Sequence, residues 1–557
     1  MKQKALFVLG IIFILGMLLR FYRLGEVPVG LHRDEAFLGY NAYSLLKTAR
    51  DMSGDFLPLH LRSFIYSPAG YSYFAIPFVS FFDLNAYSVR FPSALFGSLT
   101  ILISFFLVKE LFRENKYKKI IGLLTAFLLA ISPWHINLSR TATENIVVVF
   151  FISLGVFFYL IWARQNRRLL LLLSFLSFGA TFLLYQAPRA FLPIFIPLMI
   201  FSLTIGKTDK KKLIQPLILF FVIILLPLFA ILFSKDLSLR IKTVSILATG
   251  ENQLVLDEQI REDGVSNIGI SASRAFHNKP IAYLSQFLRN YFAHFSFDFL
   301  FSDDAVPPRY TVPNMGIIYI IELPFLVIGA LNLLNQRKKK SIFLLAWILI
   351  APIGSALAFD DVPNLQRTLI IFPALSIISA NGFLVLFEML KKQKWIIAGA
   401  FTVLIAAFFY SFAFYLHQYY VHQVVHKPWN RHEGYERLVE RVNNLLPNYN
   451  KAIITTSESA PAIFFLFYGK YDPLLFQKET KDAKTNDFDR INFGKYWFSP
   501  ERCPLNTLKT GEDAILYINA GNCKVPKDDR IKLLEEVKIS DRSLLFQILE
   551  YKSSTPN

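Results

Sequence analysis

The sequence predicts an α-helical polytopic membrane protein with about eleven transmembrane helices, interfacial helices in the first outer loop, and a small C-terminal extracytoplasmic α/β domain. Of its 557 residues, 54% are hydrophobic and 56 are phenylalanine, and the mean hydropathy is +0.40. A soluble fold of this size has no need for so much apolar surface. Apolar runs of spanning length recur along the chain, and basic residues gather between alternate runs.

The apolar runs are long enough to cross a bilayer as helices, which needs about 20 residues each. They lie near residues 4–21, 87–108, 119–134, 145–162, 169–184, 188–205, 213–234, 315–335, 341–358, 366–388 and 395–416. The first run follows a basic start, as in a signal peptide, but no small-x-small cleavage site follows it. We therefore expect it to be an uncleaved first helix.

The charge pattern predicts the orientation. If the N-terminus is cytoplasmic, every basic cluster falls in an inner loop, namely 113–119, 164–168, 207–212, 337–340 and 391–394. Cytoplasmic loops of membrane proteins carry this excess of Lys and Arg. The net charge of +18 is thus a topology signal, and a nucleic-acid partner is excluded. The sequence predicts a multi-pass protein of the cell (plasma) membrane with its C-terminal domain outside.

The C-terminal part changes character, which predicts two domains, 1–417 in the membrane and 418–557 outside it. Apolar runs shorten there, and 452–456 and 514–519 are predicted to be strands, with a helix at "IKLLEEVKI" (531–539). Both cysteines, Cys503 and Cys523, lie in this domain. An outer location permits a disulfide, but two reduced thiols remain an equal alternative.

An acidic pair, Asp34 and Glu35, follows the first apolar run in "GLHRDEAFLGY". Asp34 is predicted to cap a helix that runs to about Arg50 and presents Leu38 and Leu45 to the membrane interface. The structural interpretation is a capping acid followed by an acid that suits the helix dipole. The functional interpretation is a carboxylate kept for chemistry, because acids at membrane depth are costly.

Further polar residues recur at the predicted outer helix ends, and their shared side favours the functional interpretation. They are Arg62, Arg90, Arg140, Glu144, Tyr185, Arg189, Arg309, Tyr310 and Arg367. A carboxylate among guanidinium groups suits a reaction in which a base deprotonates a hydroxyl while cations hold a departing phosphate. A single arginine at a helix end has a structural alternative, since it often reaches toward lipid headgroups.

The order of these motifs resembles a known group. "HRDEAFLGYNAYSLLKTARDMSGDFLPLH", "YSVRFPSALFG", "HINLSRTATEN", "YQAPRAFLP" and "LQRTLIIFPALSIISANG" are similar to the GT-C membrane glycosyltransferases of families 39 and 83, the protein O-mannosyltransferase and aminoarabinose transferase type. The resemblance implies an inverting transfer from a polyprenyl-phosphate sugar at the outer face, with a hexose or pentose as the sugar. Metal independence is expected from the residues themselves, because the sequence shows no dedicated metal-binding cage and the arginines can neutralise the same charge. It implies Asp34 as the base, Glu35 as its partner, and Arg140 followed by Glu144 in the second outer loop.

One departure concerns the donor phosphate. The aminoarabinose branch has Lys-Pro-Pro where this chain has Ser67, Pro68 and Ala69. Other cations must then hold the phosphate. The candidates are Arg62, Arg90, Arg140, Arg189, Arg309 and Arg367, with Glu144, Tyr185 and Tyr310 as further substrate-binding residues.

No cofactor is expected to be required, although a divalent cation remains open because Asp34, Glu35 and Glu144 offer oxygen ligands. The predicted partners are the lipid-linked donor, membrane lipid, and a protein, glycolipid or glycan acceptor. The alternative function is a transporter or flippase of lipid-linked sugars. A structural or binding subunit, in which the acids are only caps, is a further alternative.

Overall fold

The computed structural model describes residues 2–62, 67–204, 211–234, 243–248, 250–302, 307–481, 491–507 and 514–552. The chain forms two compact units. The first contains residues 1–20, 95–139 and 144–415, and the second contains residues 21–94, 140–143 and 416–557. The stretch predicted to be the first outer loop thus belongs to the same unit as the C-terminal residues. The predicted boundaries at 1–417 and 418–557 do not anticipate this association.

The long apolar helices match the predicted runs and make this a multi-pass membrane protein. Within the described residues, seven helices are long and apolar enough to cross a membrane: Gln3–Phe21, Ala86–Leu111, Glu144–Gln165, Leu213–Phe233, Lys339–Ala356, Leu365–Leu390 and Ala398–Val425. The helices Lys118–Ile131 and Pro133–Ser139 pass the same test as a pair bent by 58°, and they add an eighth span if the pair is counted as one. Pro133 accounts for the break, because proline lacks the amide hydrogen that would continue the helix.

Three of the predicted spans form shorter apolar helices, Arg168–Leu183, Pro188–Thr204 and Ile320–Gln336. The count of eleven is therefore not confirmed by length, although each predicted run coincides with an apolar helix. In the stretch after residue 234 that is predicted to lie outside, the first unit contains the helices Glu251–Val265, Ile270–Phe276, Lys279–Ala293 and Phe297–Phe301.

The second unit contains a five-stranded sheet. Its strands are β1 (Lys451–Thr455), β2 (Tyr496–Ser499), β3 (Ile515–Ala520), β4 (Ile531–Lys538) and β5 (Leu544–Tyr551), in the order β2-β1-β3-β5-β4. Strand β1 is parallel to β2 and β3, whereas β5 is antiparallel to β3 and β4. Every residue of β3 is buried, as expected for a central strand covered on both faces.

Two predictions for the C-terminal residues are resolved by this sheet. The strands at 452–456 and 514–519 are confirmed as β1 and β3. The helix at "IKLLEEVKI" is wrong, because residues 531–538 form strand β4 and pair with β5. Pairing with a neighbouring strand overrides helix propensity here. The question left open for the cysteines is also answered, since a disulfide joins Cys503 and Cys523.

Among its described residues, the second unit also contains five helices of seven or more residues that lie wholly within it. They are Arg33–Thr48, Gly70–Phe82, Tyr435–Leu445, Ala462–Tyr468 and Pro473–Glu479. The Arg33–Thr48 helix packs against Gly70–Phe82 and Ala462–Tyr468. Its apolar stripe, including Leu38 and Leu45, is buried by these protein contacts. Gly39 permits the close approach, because a Cβ there would lie 2.6 Å from the Phe467 ring.

Candidate active site

The start of the Arg33–Thr48 helix places the acidic pair. The N-cap is His32, whose Nδ1 accepts a hydrogen bond from the Asp34 amide at 3.2 Å, while the His32 amide donates to Glu35 Oε2 at 3.1 Å. These two bonds form a reciprocal capping box. The prediction that Asp34 is the cap is therefore wrong. Asp34 instead occupies the second helical position, and its carboxylate is not needed to begin the helix.

The two acids have different environments. The Asp34 side chain is 52% exposed, with Oδ2 3.3 Å from His32 Nδ1. Glu35 is buried, and its Oε1 accepts hydrogen bonds from Arg90 Nε at 3.0 Å and from the Ala142 amide at 2.7 Å. Burial alone would raise the pKa of Glu35, but the Arg90 charge and these hydrogen bonds hold it below its ordinary value. Of the pair, Asp34 is the acid with an exposed carboxylate.

Arg90 is completely engaged by the protein. Its Nε and Nη2 donate to the Glu35 carboxylate, and the other Nη2 hydrogen is donated to Gly30 O at 2.5 Å. Nη1 donates to Leu24 O at 3.2 Å and to Pro28 O at 3.0 Å. An arginine has five N–H donors, and all five are used here. This geometry contradicts the assignment of Arg90 to the donor phosphate.

Arg140 is likewise buried. Its Nη2 donates to Tyr22 O at 2.6 Å and to Val27 O at 2.9 Å, and its Nε donates to the Tyr419 hydroxyl at 3.2 Å. The guanidinium carbon lies 5.4 Å from the ring centroids of both Tyr419 and Tyr420. Contacts with backbone carbonyls and aromatic rings hold the Arg140 guanidinium within the protein. We therefore do not include Arg140 among the residues proposed to bind the donor phosphate.

Sequence reasoning missed Arg431, a third buried arginine in the same unit. Its Nε donates to Val29 O at 3.3 Å, and its Nη2 donates to Gln423 O. Burial lowers its pKa to about 10, so it stays charged near neutral pH. Arg90, Arg140 and Arg431 together bind carbonyls of residues 22–30, the segment that leads into Asp34. We call this segment the arginine-held turn.

The turn also requires a close backbone approach. Gly30 has φ +74°, and a Cβ at this position would lie 2.7 Å from Arg431 O and 2.9 Å from the Glu433 amide nitrogen. Next to it, the His32 and His432 rings lie 4.7 Å apart. The signal for these contacts in the sequence is weak, because "NRHEG" (430–434) lies some 400 residues after the turn that it contacts.

Arg62 is the remaining predicted arginine of this unit. Its Nη2 lies 3.1 Å from Asp55 Oδ2, and about a third of its side chain is exposed. An exposed pair of this kind contributes little to stability and exchanges readily. Arg62 therefore keeps a surface that a ligand can reach.

Three predicted residues of the first unit line one cavity, of about 340 Å³. These are Tyr185, Arg189 and Arg367, and most of the other lining side chains are apolar. Arg367 Nη2 lies 3.0 Å from Asp360 Oδ1, and the guanidinium also interacts with the Tyr185 hydroxyl. Arg189 donates to Phe182 O at 3.3 Å. The cavity thus combines apolar walls with two guanidinium groups.

A buried histidine supports the segment that carries Arg367. His294 Nδ1 donates to Asn290 O at 2.8 Å, which leaves Nε2 to accept from the Asn364 amide at 3.2 Å. Burial lowers the pKa of His294 to about 4, so the ring is neutral. Asn364 in turn caps the helical turn Leu365–Thr368 by accepting from the Arg367 amide at 2.8 Å. Sequence reasoning did not identify this support.

The other predicted residues of the first unit lie in separate contacts. Glu144 Oε2 accepts a hydrogen bond from Gln366 at 3.3 Å. Arg309 lies over the Tyr310 ring, 4.9 Å from its centroid. Tyr310 is buried, and its carbonyl accepts a hydrogen bond from Asn137. Over the part of the chain that the structure describes, no three His, Cys, Asp or Glu residues form a metal-binding group, and metal independence stays a prediction.

The chain was compared with known proteins. The family model described as dolichyl-phosphate-mannose-protein mannosyltransferase matches residues 10–241. No curated protein sequence matches the chain.

Solved structures give broader matches. ArnT from Cupriavidus metallidurans in the apo state matches with a TM-score of 0.54 and 10% identity, over 100% of this chain and 99% of ArnT. The same protein bound to undecaprenyl phosphate gives 0.51 and 11%, over 98% of both chains. Archaeal oligosaccharyltransferase AglB from Archaeoglobus fulgidus, in complex with an inhibitory peptide and a dolichol-phosphate, gives 0.52 and 14% over 84% of this chain. This chain spans only 64% of AglB.

The helical membrane part and the smaller C-terminal sheet agree with these matches. At identities of 10–14% over 84–100% of the chain, the matches show a shared fold and not a shared activity. The chain therefore has the GT-C fold, the fold of a group of membrane glycosyltransferases.

Proposed function

We propose that this protein is an integral membrane glycosyltransferase that moves a sugar from a polyprenyl-phosphate donor to an acceptor hydroxyl at the outer face of the cell membrane, with inversion. One observation carries the proposal. At the start of the Arg33–Thr48 helix, Asp34 has a half-exposed carboxylate, whereas its neighbour Glu35 is held by Arg90. A general base must reach the proton that it abstracts, and the exposure of the Asp34 carboxylate supports this role.

The arginine-held turn supports the same role. Catalytic groups are effective when the surrounding structure fixes their position. Arg90, Arg140 and Arg431 bind successive carbonyls of this turn, and the capping box orients the first helical residues. In the proposal these three arginines act as positioning residues for Asp34.

The cavity at Tyr185, Arg189 and Arg367 is the proposed donor site. Its apolar walls suit an isoprenoid chain, and its guanidinium groups suit a phosphate, which arginine binds by paired charge-assisted hydrogen bonds. Arg62, in the second unit, remains a predicted phosphate-binding residue. The relatives' ligands support this chemistry, because ArnT binds undecaprenyl phosphate and AglB binds a dolichol-phosphate. Glu144, Arg309 and Tyr310 remain predicted substrate contacts.

The proposed reaction is a single displacement. The acceptor oxygen attacks the anomeric carbon and passes its proton to Asp34, while the bond from that carbon to the phosphate oxygen breaks. The phosphate leaves with the bonding electron pair, and cationic side chains stabilise its charge. Because lipid phosphate is a good leaving group, no separate acid is needed. Attack opposite the leaving group inverts the anomeric centre.

The test is transfer by purified protein in lipid nanodiscs. Radiolabelled polyprenyl-phosphate sugars are incubated with candidate acceptors, and released polyprenyl phosphate and labelled product are both measured. Asp34→Asn keeps the volume but removes the base, so the rate should fall by about 10²- to 10⁴-fold. The matched control is Asp83→Asn, an exposed acid paired with Lys470, which should stay within about twofold of wild type.

Two results would contradict the proposal. Asp34→Asn with a rate near wild type would remove Asp34 from the chemistry. Movement of the intact donor across the bilayer without release of polyprenyl phosphate would favour the flippase alternative instead.

A further inference from the structure

A second cavity of the first unit, of about 390 Å³, is distinct from the proposed donor site. Its lining comes from five of the apolar helices, and seven of the lining side chains are phenylalanine. Phe409, on the helix Lys394–His417, is 72% exposed. Since that helix is long and apolar enough to span the membrane, lipid is the medium that surrounds this wall. We call this cavity the phenylalanine pocket.

The phenylalanine pocket has one acidic side chain. Glu322 lines it and is 4% exposed, and Ser379, which also lines it, is 1% exposed. The lining, as far as the structure describes it, contains no lysine, arginine or histidine. The Ser379 hydroxyl interacts with the Glu322 carboxyl, but no cation of the lining offsets a charge there. Ionisable side chains inside a membrane are costly, and they usually mark a ligand or ion site.

The chemistry of the lining selects among membrane amphiphiles. A phosphate head would meet a carboxyl with no cation beside it, so an anionic lipid, including the proposed donor, is disfavoured. A hydroxyl can donate one hydrogen bond to Glu322 and accept one from Ser379, which satisfies both groups without bringing a charge into the apolar region. The phenylalanines then contact the hydrocarbon chain.

We propose that the phenylalanine pocket binds an uncharged membrane lipid alcohol, with its hydroxyl on Glu322 and Ser379 and its hydrocarbon chain along the phenylalanines. This site is separate from the transfer reaction, and it holds whether or not Asp34 is the base. The cavity at Arg189 and Arg367 provides the contrast within the same unit, because its guanidinium groups select an anionic head.

The test uses the full-length protein in nanodiscs and a prenyl alcohol of 15 to 20 carbons that carries a photoreactive diazirine. After irradiation, labelled peptides are mapped by mass spectrometry. Label should concentrate in residues 401–412, and excess unlabelled alcohol should reduce it at least tenfold. The monophosphate of the same chain should compete at least tenfold less well.

Two variants test the polar end and the volume separately. Glu322→Leu removes the hydrogen-bond acceptor and should reduce labelling at least fivefold. Leu404→Trp keeps Glu322 but fills the pocket, so it should give the same loss even if Glu322→Leu does not fold. The control is Glu388→Gln, an acid paired with Lys391 at another helix end, which should leave labelling unchanged.

The opposite results would overturn the proposal. They are equal labelling of all apolar helices, wild-type labelling in a folded Glu322→Leu or Leu404→Trp protein, or competition by the phosphate that matches the alcohol. A transfer assay with the same variants keeps this test apart from the catalytic proposal, since loss of labelling with normal transfer concerns this pocket alone.

Discussion

The buried pair of Glu35 and Arg90 allows a quantitative prediction. Glu35→Gln removes the negative charge that pairs with Arg90, whose side chain is 0% exposed. Breaking one partner of a buried ion pair costs about 3–5 kcal/mol, because the other charge is left uncompensated. The amide group of glutamine can still accept one of the guanidinium's hydrogen bonds, so we expect a loss of about 3 kcal/mol, at the lower end of this range.

The pH dependence of this loss has a definite sign. Because the folded-state pKa of Glu35 lies below its ordinary value of 4.5, the pair stabilises the folded state fully above about pH 4.5. This contribution is lost as the pH falls through the folded-state pKa. The difference between wild type and Glu35→Gln should therefore be constant from pH 6 to pH 8 and should shrink at lower pH.

The assay is unfolding followed by tryptophan fluorescence in one detergent, with the folded fraction checked by size exclusion. Asp34→Asn is the matched control, since this neighbouring carboxylate is half exposed and should change stability by less than about 0.5 kcal/mol. Equal stability of Glu35→Gln and wild type at pH 7 would refute the reasoning, as would a difference that grows on acidification.

Three further outcomes follow from the structure. Gly30→Ala should destabilise the protein by about 1–3 kcal/mol and slow transfer, because it adds strain at a positive φ and a clash with Arg431 O. A melting temperature and a transfer rate equal to those of wild type would contradict this. Arg189→Gln should raise the dissociation constant for the polyprenyl-phosphate donor at least tenfold in a binding assay, but it should leave the affinity for the polyprenyl alcohol of the same chain length unchanged. Equal effects on both affinities would show that Arg189 does not bind the phosphate. Replacing Cys503 and Cys523 together by serine should lower the free energy of unfolding by about 3 kcal/mol, since the disulfide closes a loop with a sequence separation of 20 residues. An unchanged unfolding midpoint would contradict this loss.

Hydropathy and charge were enough to predict the membrane helices, because the apolar length that a bilayer requires is visible in the sequence. The strand at 531–538 was not predictable in this way, since "IKLLEEVK" has good helix formers and becomes extended only by pairing with β5. The helix cap was missed for a similar reason. Histidine is an uncommon N-cap, and its role depends on hydrogen bonds with Asp34 and Glu35 that spacing alone does not distinguish from an aspartate cap.

The arginines show most clearly what the sequence alone does not predict. The sequence places Arg90, Arg140 and Arg367 at helix ends on one predicted side, but it does not count the acceptors around each guanidinium. Arg90 has all five donors bound to protein groups, whereas Arg367 lines a cavity. Long-range contacts make this difference, and Arg431 joins the turn from about 400 residues away.

The most direct measurement of the central claim is the single-turnover rate of Asp34→Asn with saturating donor and acceptor. With donor affinity unchanged, this rate should be at least 100-fold lower than that of wild type, within the range of general-base effects. A rate near that of wild type would show that another group accepts the proton.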